Sequence, residues 1–140
     1  MKTRRILTVV VPLLLLAGCS REPAHIQVQH ILISFEGAID KESVTRTMEE
    51  AEALAQEVYD LALGGSDFAA LVQEYTDDQY PGIYAMANLD VQPDQGEYAR
   101  SRMVQVFGDV GFGLKVDEIG MGAYDPETSP YGWHIIKRLR

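Results

Sequence analysis

Cysteine is nearly missing from these 140 residues. Cys19 stands alone, which excludes an intramolecular disulfide. Histidine is scarce too, and the three at positions 25, 30 and 134 lack the close spacing of a metal site. Positive charge is in short supply, with 12 Lys and Arg against 21 Asp and Glu, a formal net charge of −9. Three of the cations, Lys2, Arg4 and Arg5, lie in the first five residues, and without those three the charge is −12. A surface that acidic repels phosphate, because lysine and arginine supply most nonspecific affinity for nucleic acid. Nucleic-acid binding is therefore excluded. Internal repeats and low-complexity tracts are lacking, and the apolar run Ile6 to Ala17 is too short for a stable transmembrane helix. What remains, 46% hydrophobic and 24% charged, is the composition of a globular protein with room for one domain.

The first residues read as a leader. Lys2, Arg4 and Arg5 precede the apolar run, and Leu16-Ala17-Gly18-Cys19 closes it with small residues, the layout of a secretory signal. That tetrapeptide resembles a bacterial lipobox. The resemblance implies a signal peptide over 1–18, cleavage before Cys19 and acylation of the cysteine. Residues 19–25 then form the lipidated cysteine and a short tether, and 26–140 the domain. Acyl chains contribute about 0.8 kcal/mol per buried methylene, so several chains anchor stably. Ser20 is not the aspartate usual for inner-membrane retention. The expectation is an extracytoplasmic protein tethered to a membrane, the outer one facing the periplasm in a Gram-negative cell.

Along the folded part, Ile26 to Phe35 reads as a strand and Glu36 to Lys41 as a loop. Ser43 can cap a helix whose apolar positions are Val44, Met48, Ala51, Leu54, Val58 and Leu61, ended by Gly64-Gly65. Ser66 or Asp67 begins a second helix with Phe68, Leu71, Val72 and Tyr75 on one face. Ile83 to Met86 suits a short strand, Asn88 to Glu97 an exposed loop and Tyr98 to Phe107 a third helix. Asp109 to Gly120 reads as a turn and a strand, Asp125 to Pro130 as a loop, and Tyr131 to Arg140 as the last strand. The first and last strands each place one histidine, His30 and His134, among apolar neighbours, which predicts neighbours in one sheet. Helices packed on an antiparallel-containing sheet give an α+β domain.

Six segments carry a family resemblance: His30-Ile-Leu-Ile, the Gly64-Gly-Ser-Asp-Phe-Ala-Ala-Leu junction, Tyr75-Thr-Asp-Asp, Met103 to Phe112, Leu114 to Gly120, and Tyr131-Gly-Trp-His-Ile-Ile-Lys. In this order they resemble the parvulin (PpiC-like) peptidyl-prolyl cis/trans isomerases, an FKBP-like fold. The resemblance implies that His30 and His134 are the family's paired histidines and that Asp78 holds its cysteine-or-aspartate position. It implies that Met103 and Phe107 wall a proline pocket and that Phe112 closes its floor. Ser129, or Thr128 one step away, stands nearest the family's hydroxyl residue, and Tyr84 nearest its pocket leucine. His25 matches nothing and reads as solvated tether.

Two departures bear on function. Pro81 to Met86 stands where many members have Gly-Gly-Asp-Leu-Gly, followed by a longer loop through Glu97 that is expected to border the pocket. The loop Glu36 to Lys41 lacks the basic cluster of phosphate-selecting members, which implies unphosphorylated substrates. The implied function is rotation of X-Pro bonds in proline-containing segments of unfolded or exported proteins, without cofactor or metal. Catalysis is assigned to His30, Asp78, Ser129 and His134, and substrate binding to Tyr84, Met103, Phe107 and Phe112. Other readings are a chaperone-like module that holds peptides with little turnover, and an unrelated lipoprotein that scaffolds an envelope complex.

Overall fold

The computed structural model describes residues 21–140. The leader and Cys19 lie outside the described residues. Five strands form one sheet in the order β3-β2-β1-β5-β4, with β1 at His25–Ile33, β2 at Ile83–Ala87, β3 at Tyr98–Ala99, β4 at Ile119–Gly122 and β5 at Trp133–Arg138. All pairings are antiparallel except β2 with β3. The first and last strands are neighbours as expected, with Leu32 opposite His134 and His30 opposite Ile136. As the central strand β1 is buried from Val28 to Ile33, and cover on both faces explains the apolar run Ile31-Leu32-Ile33 at its end.

One face of the sheet packs Ile31, Ile33, Trp133 and Ile135 against helices α1, Met48–Leu63, and α2, Phe68–Tyr75. The other packs Ile26, Val28, Met86 and Ile136 against Phe107 and Phe112 of helix α3, Gln105–Gly113. This α+β arrangement is the one the sequence pattern predicts.

Three local expectations are corrected. Helix α1 starts at Met48, capped by Thr47, rather than at Val44 with Ser43 as cap, because Thr47 and Glu50 form a reciprocal capping box. Its buried stripe is Ala51, Ala55, Val58 and Ala62, while Leu61 is 38% exposed. Alanines let the helix approach the sheet closely, and the larger Leu54 packs at the margin.

Tyr98 to Phe107 is not one helix. Tyr98 and Ala99 pair with the free edge of β2, Arg100–Arg102 forms a single 3-10 turn, and α3 runs through Asp109 to Phe112, read above as a turn. Three glycines within Gln105–Gly113 argue against a helix on propensity. Contact with the sheet overrides this, since a Cβ on Gly111 would stand 3.3 Å from Ile26 Cδ1 and 3.4 Å from Met86 Cε.

His25 is not solvated tether. It opens β1 opposite Ala87, and its Nδ1 lies 2.8 Å from Glu97 Oε2.

Candidate active site

His30 projects from the middle of β1 and His134 from β5, on the face that carries α3. Their rings stack with centroids 5.6 Å apart and Nδ1 atoms 3.5 Å apart. Asp78 lies just past α2, held by a short stitch of the chain against β1. The Asp77 amide donates to Leu32 O at 2.8 Å, and the Leu32 amide donates to Thr76 Oγ1 at 3.1 Å. Asp77 itself turns away and is satisfied by Arg46 and by the Ser34 amide, a structural role in closing the helix exit. Asp78 is thereby left facing His30, with Oδ2 2.9 Å from His30 Nε2.

The same Oδ2 accepts a 2.6 Å hydrogen bond from the Tyr84 hydroxyl. The hydrogen bond from His30, reinforced by that from Tyr84, outweighs partial burial and holds the Asp78 carboxyl well below its usual range. Burial first, then the adjacent carboxylate, push the Tyr84 phenol above its ordinary value. Burial, with a smaller contribution from His30, lowers His134 from 6.5 to about 3. An ionised Asp78 can only accept, so His30 Nε2–H donates to it. His134 Nε2 is buried without a hydrogen-bond partner.

Beside this chain of polar groups opens a cavity of about 520 Å3. Met103, Val104, Phe107, Leu32 and Tyr131 give it apolar surface, while His30, Asp78 and Tyr84 give it one polar wall. Phe107 sets ring edges against both histidines, with centroids 4.9 Å from His30 and 5.7 Å from His134. Ile39, Asp40 and Lys41 of the loop after β1 complete the lining. The chemistry this supports is non-covalent: an apolar recess beside a fixed carboxylate charge, with every donor to that carboxylate already placed.

The structure therefore brings together six of the eight predicted site residues: His30, Asp78, Tyr84, Met103, Phe107 and His134. Phe112 is not at the cavity. It packs with Ile26, Val28 and Met86, under the Arg100 guanidinium at 4.7 Å. Ser129 is fully buried in the turn before β5, where its hydroxyl donates to Gly132 O at 2.9 Å, and Thr128 bonds Asp125 instead. Of the stretch 81–97, expected to border the pocket, only Tyr84 lines it, because β2 runs away from the cavity alongside β1 toward its His25 end. The sequence reading missed Leu32, Ile39, Val104 and Tyr131. Apolar side chains on a strand, a loop and a helix start carry no local sign that they share a cavity.

Residues 12–139 match the family described as the PPIC-type PPIASE domain. The chain belongs to this family, the parvulins. Among its relatives, the foldase protein PrsA of Caldanaerobacter subterraneus subsp. tengcongensis is 37% identical over 86 residues, 61% of this chain and 24% of that protein. The chaperone SurA of Chromohalobacter salexigens is 32% identical over 114 residues, 79% of this chain and 21% of that protein. The chain thus spans about a quarter of the curated relatives it matches. The parvulin fold is shared with the solution structure of TbPIN1, at a TM-score of 0.61 and 22% identity, covering 84% of this chain and 98% of that one. The peptidyl-prolyl isomerase ESS1 from Candida albicans superposes at a TM-score of 0.59 and 19% identity, over 84% and 63% of the two chains.

Proposed function

We propose that this parvulin domain isomerises X-Pro bonds at the cavity between α3 and the two histidines, acting as a foldase on unphosphorylated segments of exported proteins while anchored by a lipid on Cys19. The observation that carries the reading is the apolar wall of Met103, Val104 and Phe107 facing the Asp78–His30–Tyr84 cluster across one recess.

The uncatalysed reaction meets a barrier of about 20 kcal/mol and takes roughly 10–100 s. The barrier is amide resonance, so the domain must hold the twisted amide better than the planar one. A proline ring seated on Phe107 and Met103 leaves water behind, and the twisted amide, being less polar, loses less hydration. The Asp78 charge faces the polar side of the bond and disfavours charge on the imide oxygen, the resonance form that keeps the amide planar. His30 and His134 position that carboxylate. No covalent intermediate is required.

Charge at the rim supports unphosphorylated substrates. Among the described residues Lys41 is the one lysine or arginine lining the cavity and its Nζ donates to Asp77 O at 2.9 Å, whereas Asp40 and Asp78 oppose a phosphate.

The test is cis-to-trans exchange of unphosphorylated X-Pro peptides by NMR, beside Asp78→Ala and Phe107→Ala. Exchange well above the uncatalysed rate and lost in Phe107→Ala is expected. Peptide binding without faster exchange would overturn the enzyme reading in favour of a peptide-holding module.

A further inference from the structure

The chain just beyond Cys19 is not a loose tether but is fastened to one end of the sheet. Arg100 is the fastener. Its Nη1 donates to Glu22 Oε2 at 2.7 Å and to Asn88 Oδ1 at 2.7 Å, and its Nη2 donates to Asp109 Oδ1 at 2.8 Å. Asn88 adds two bonds to the same segment: its amide donates to Ala24 O at 2.8 Å and its Nδ2 to Pro23 O at 2.9 Å. The His25–Glu97 contact completes the fastening. Arg100 is itself held from below by the Phe112 ring and has a side chain only 10% exposed, while its partners Glu22 and Asp109 are 47% and 54% exposed, so the clamp rests on the packed guanidinium and its several bonds rather than on the ion pairs alone.

Chain length then fixes the rest. Glu22 is three residue steps beyond Cys19, a reach of at most about 11 Å. From His25 the strand β1 travels away from the clamp, and at about 3.3 Å per residue it places His30 roughly 17 Å and Leu32 roughly 23 Å further on. The cavity lining drawn from Ile39 to Lys41, Asp77 to Gln79 and Tyr131 lies at that distal end. Arg21 and Arg140 are exposed at the clamped end, where Gln27 N donates to Arg140 O at 3.0 Å. Leu89, next to Asn88, is 56% exposed there.

We propose that the end of the sheet formed by residues 22–25, the 88–97 loop and the last residues of the chain is a lipid-facing surface, and that the Arg100 clamp and β1 hold the cavity's Ile39–Lys41, Asp77–Gln79 and Tyr131 rim toward the opposite, distal end. This rests on acylation of Cys19. A lipid surface fits this end because an acylated Cys19 can stand no more than about 11 Å from Glu22, and the exposed Leu89 and the cations Arg21 and Arg140 lie there beside the exposed acids Asp90 and Asp94.

The test uses the full chain, matured in cells and placed in nanodiscs of phosphatidylcholine and phosphatidylglycerol with a small share of gadolinium-chelating lipid. Mass spectrometry first reads the Cys19 adduct, and NMR then reads amide relaxation enhancement. The expected result is an acylated cysteine with enhancement at Leu89 and Asp90 at least about tenfold stronger than at Asp40 and Gln79, given the distances along β1. Asn88→Ala and Arg100→Met are expected to shrink that ratio, and an unchanged ratio in both overturns the clamp. An acylated cysteine with equal enhancement at the two ends overturns the orientation and leaves the anchor standing. An unacylated Cys19 overturns the anchor, and this proposal with it.

Discussion

Tyr84 and Asp78 meet through a 2.6 Å hydrogen bond in which the phenol donates to the same carboxylate oxygen that His30 Nε2 contacts. A tyrosine on β2 thus supplies the cavity with a donor where an aliphatic side chain would supply surface alone. Tyr84→Phe is expected to keep the cavity shape, to cost about 1–2 kcal/mol for the lost bond to a charged group, and to raise the Asp78 carboxyl toward its usual range. A carbon-detected NMR titration of Asp78 in both proteins measures this, and an unmoved titration would separate Tyr84 from the carboxylate's tuning.

Acid is expected to destabilise the fold in two overlapping ranges. His134 binds a proton near 6.5 when unfolded but only near 3 when folded, so its contribution is fully present above about 6.5 and is lost as pH falls toward about 3. The slope in that window is up to about 1.4 kcal/mol per pH unit. The depressed Asp78 carboxyl acts in the same direction, beginning to cost stability as pH falls through the ordinary carboxylate range. Denaturant midpoints between pH 7 and 4 should fall in the native chain and flatten in His134→Phe between pH 6.5 and 5.

Phe107 serves the core and the cavity at once, being 2% exposed and packed on both histidines. Phe107→Ala is expected to cost about 3–5 kcal/mol, together with most of the isomerase activity. Met103 is only partly buried, so Met103→Ala should cost less stability while still lowering exchange about tenfold, or about 1.4 kcal/mol of barrier. Exchange spectroscopy with parallel denaturant melts distinguishes a damaged pocket from a damaged fold.

Gly82 stands at φ 66° with its Cα against β1, where a Cβ would lie 2.5 Å from His30 O. Its own carbonyl accepts the His30 amide at 2.9 Å, so this glycine fixes the height of His30. Gly82→Ala should destabilise by at least about 2 kcal/mol and displace the His30 ring signals in NMR spectra, even where the protein still folds.

Much of this protein follows from its sequence alone. The apolar runs around His30 and His134 specify two buried strands, since β-branched and aromatic residues fill a sheet covered on both sides, and the Gly64-Gly65 break separates two helices by conformational freedom. The order of six motifs was enough to identify the parvulin family and to name six of the residues that line the cavity. Tertiary contact decided the rest. Gln105 to Gly113 is helical against its own propensity because Gly111 lets α3 settle on Ile26 and Met86. Tyr98 and Ala99 became a strand because β2 had an unpaired edge. Phe112 and Ser129 were drawn into packing and a turn, while Ile39 came to the cavity from a loop with no local mark of it. Periodicity records which side of an element is apolar, but which neighbour that side meets depends on shape and on hydrogen-bonding partners contributed by distant parts of the chain.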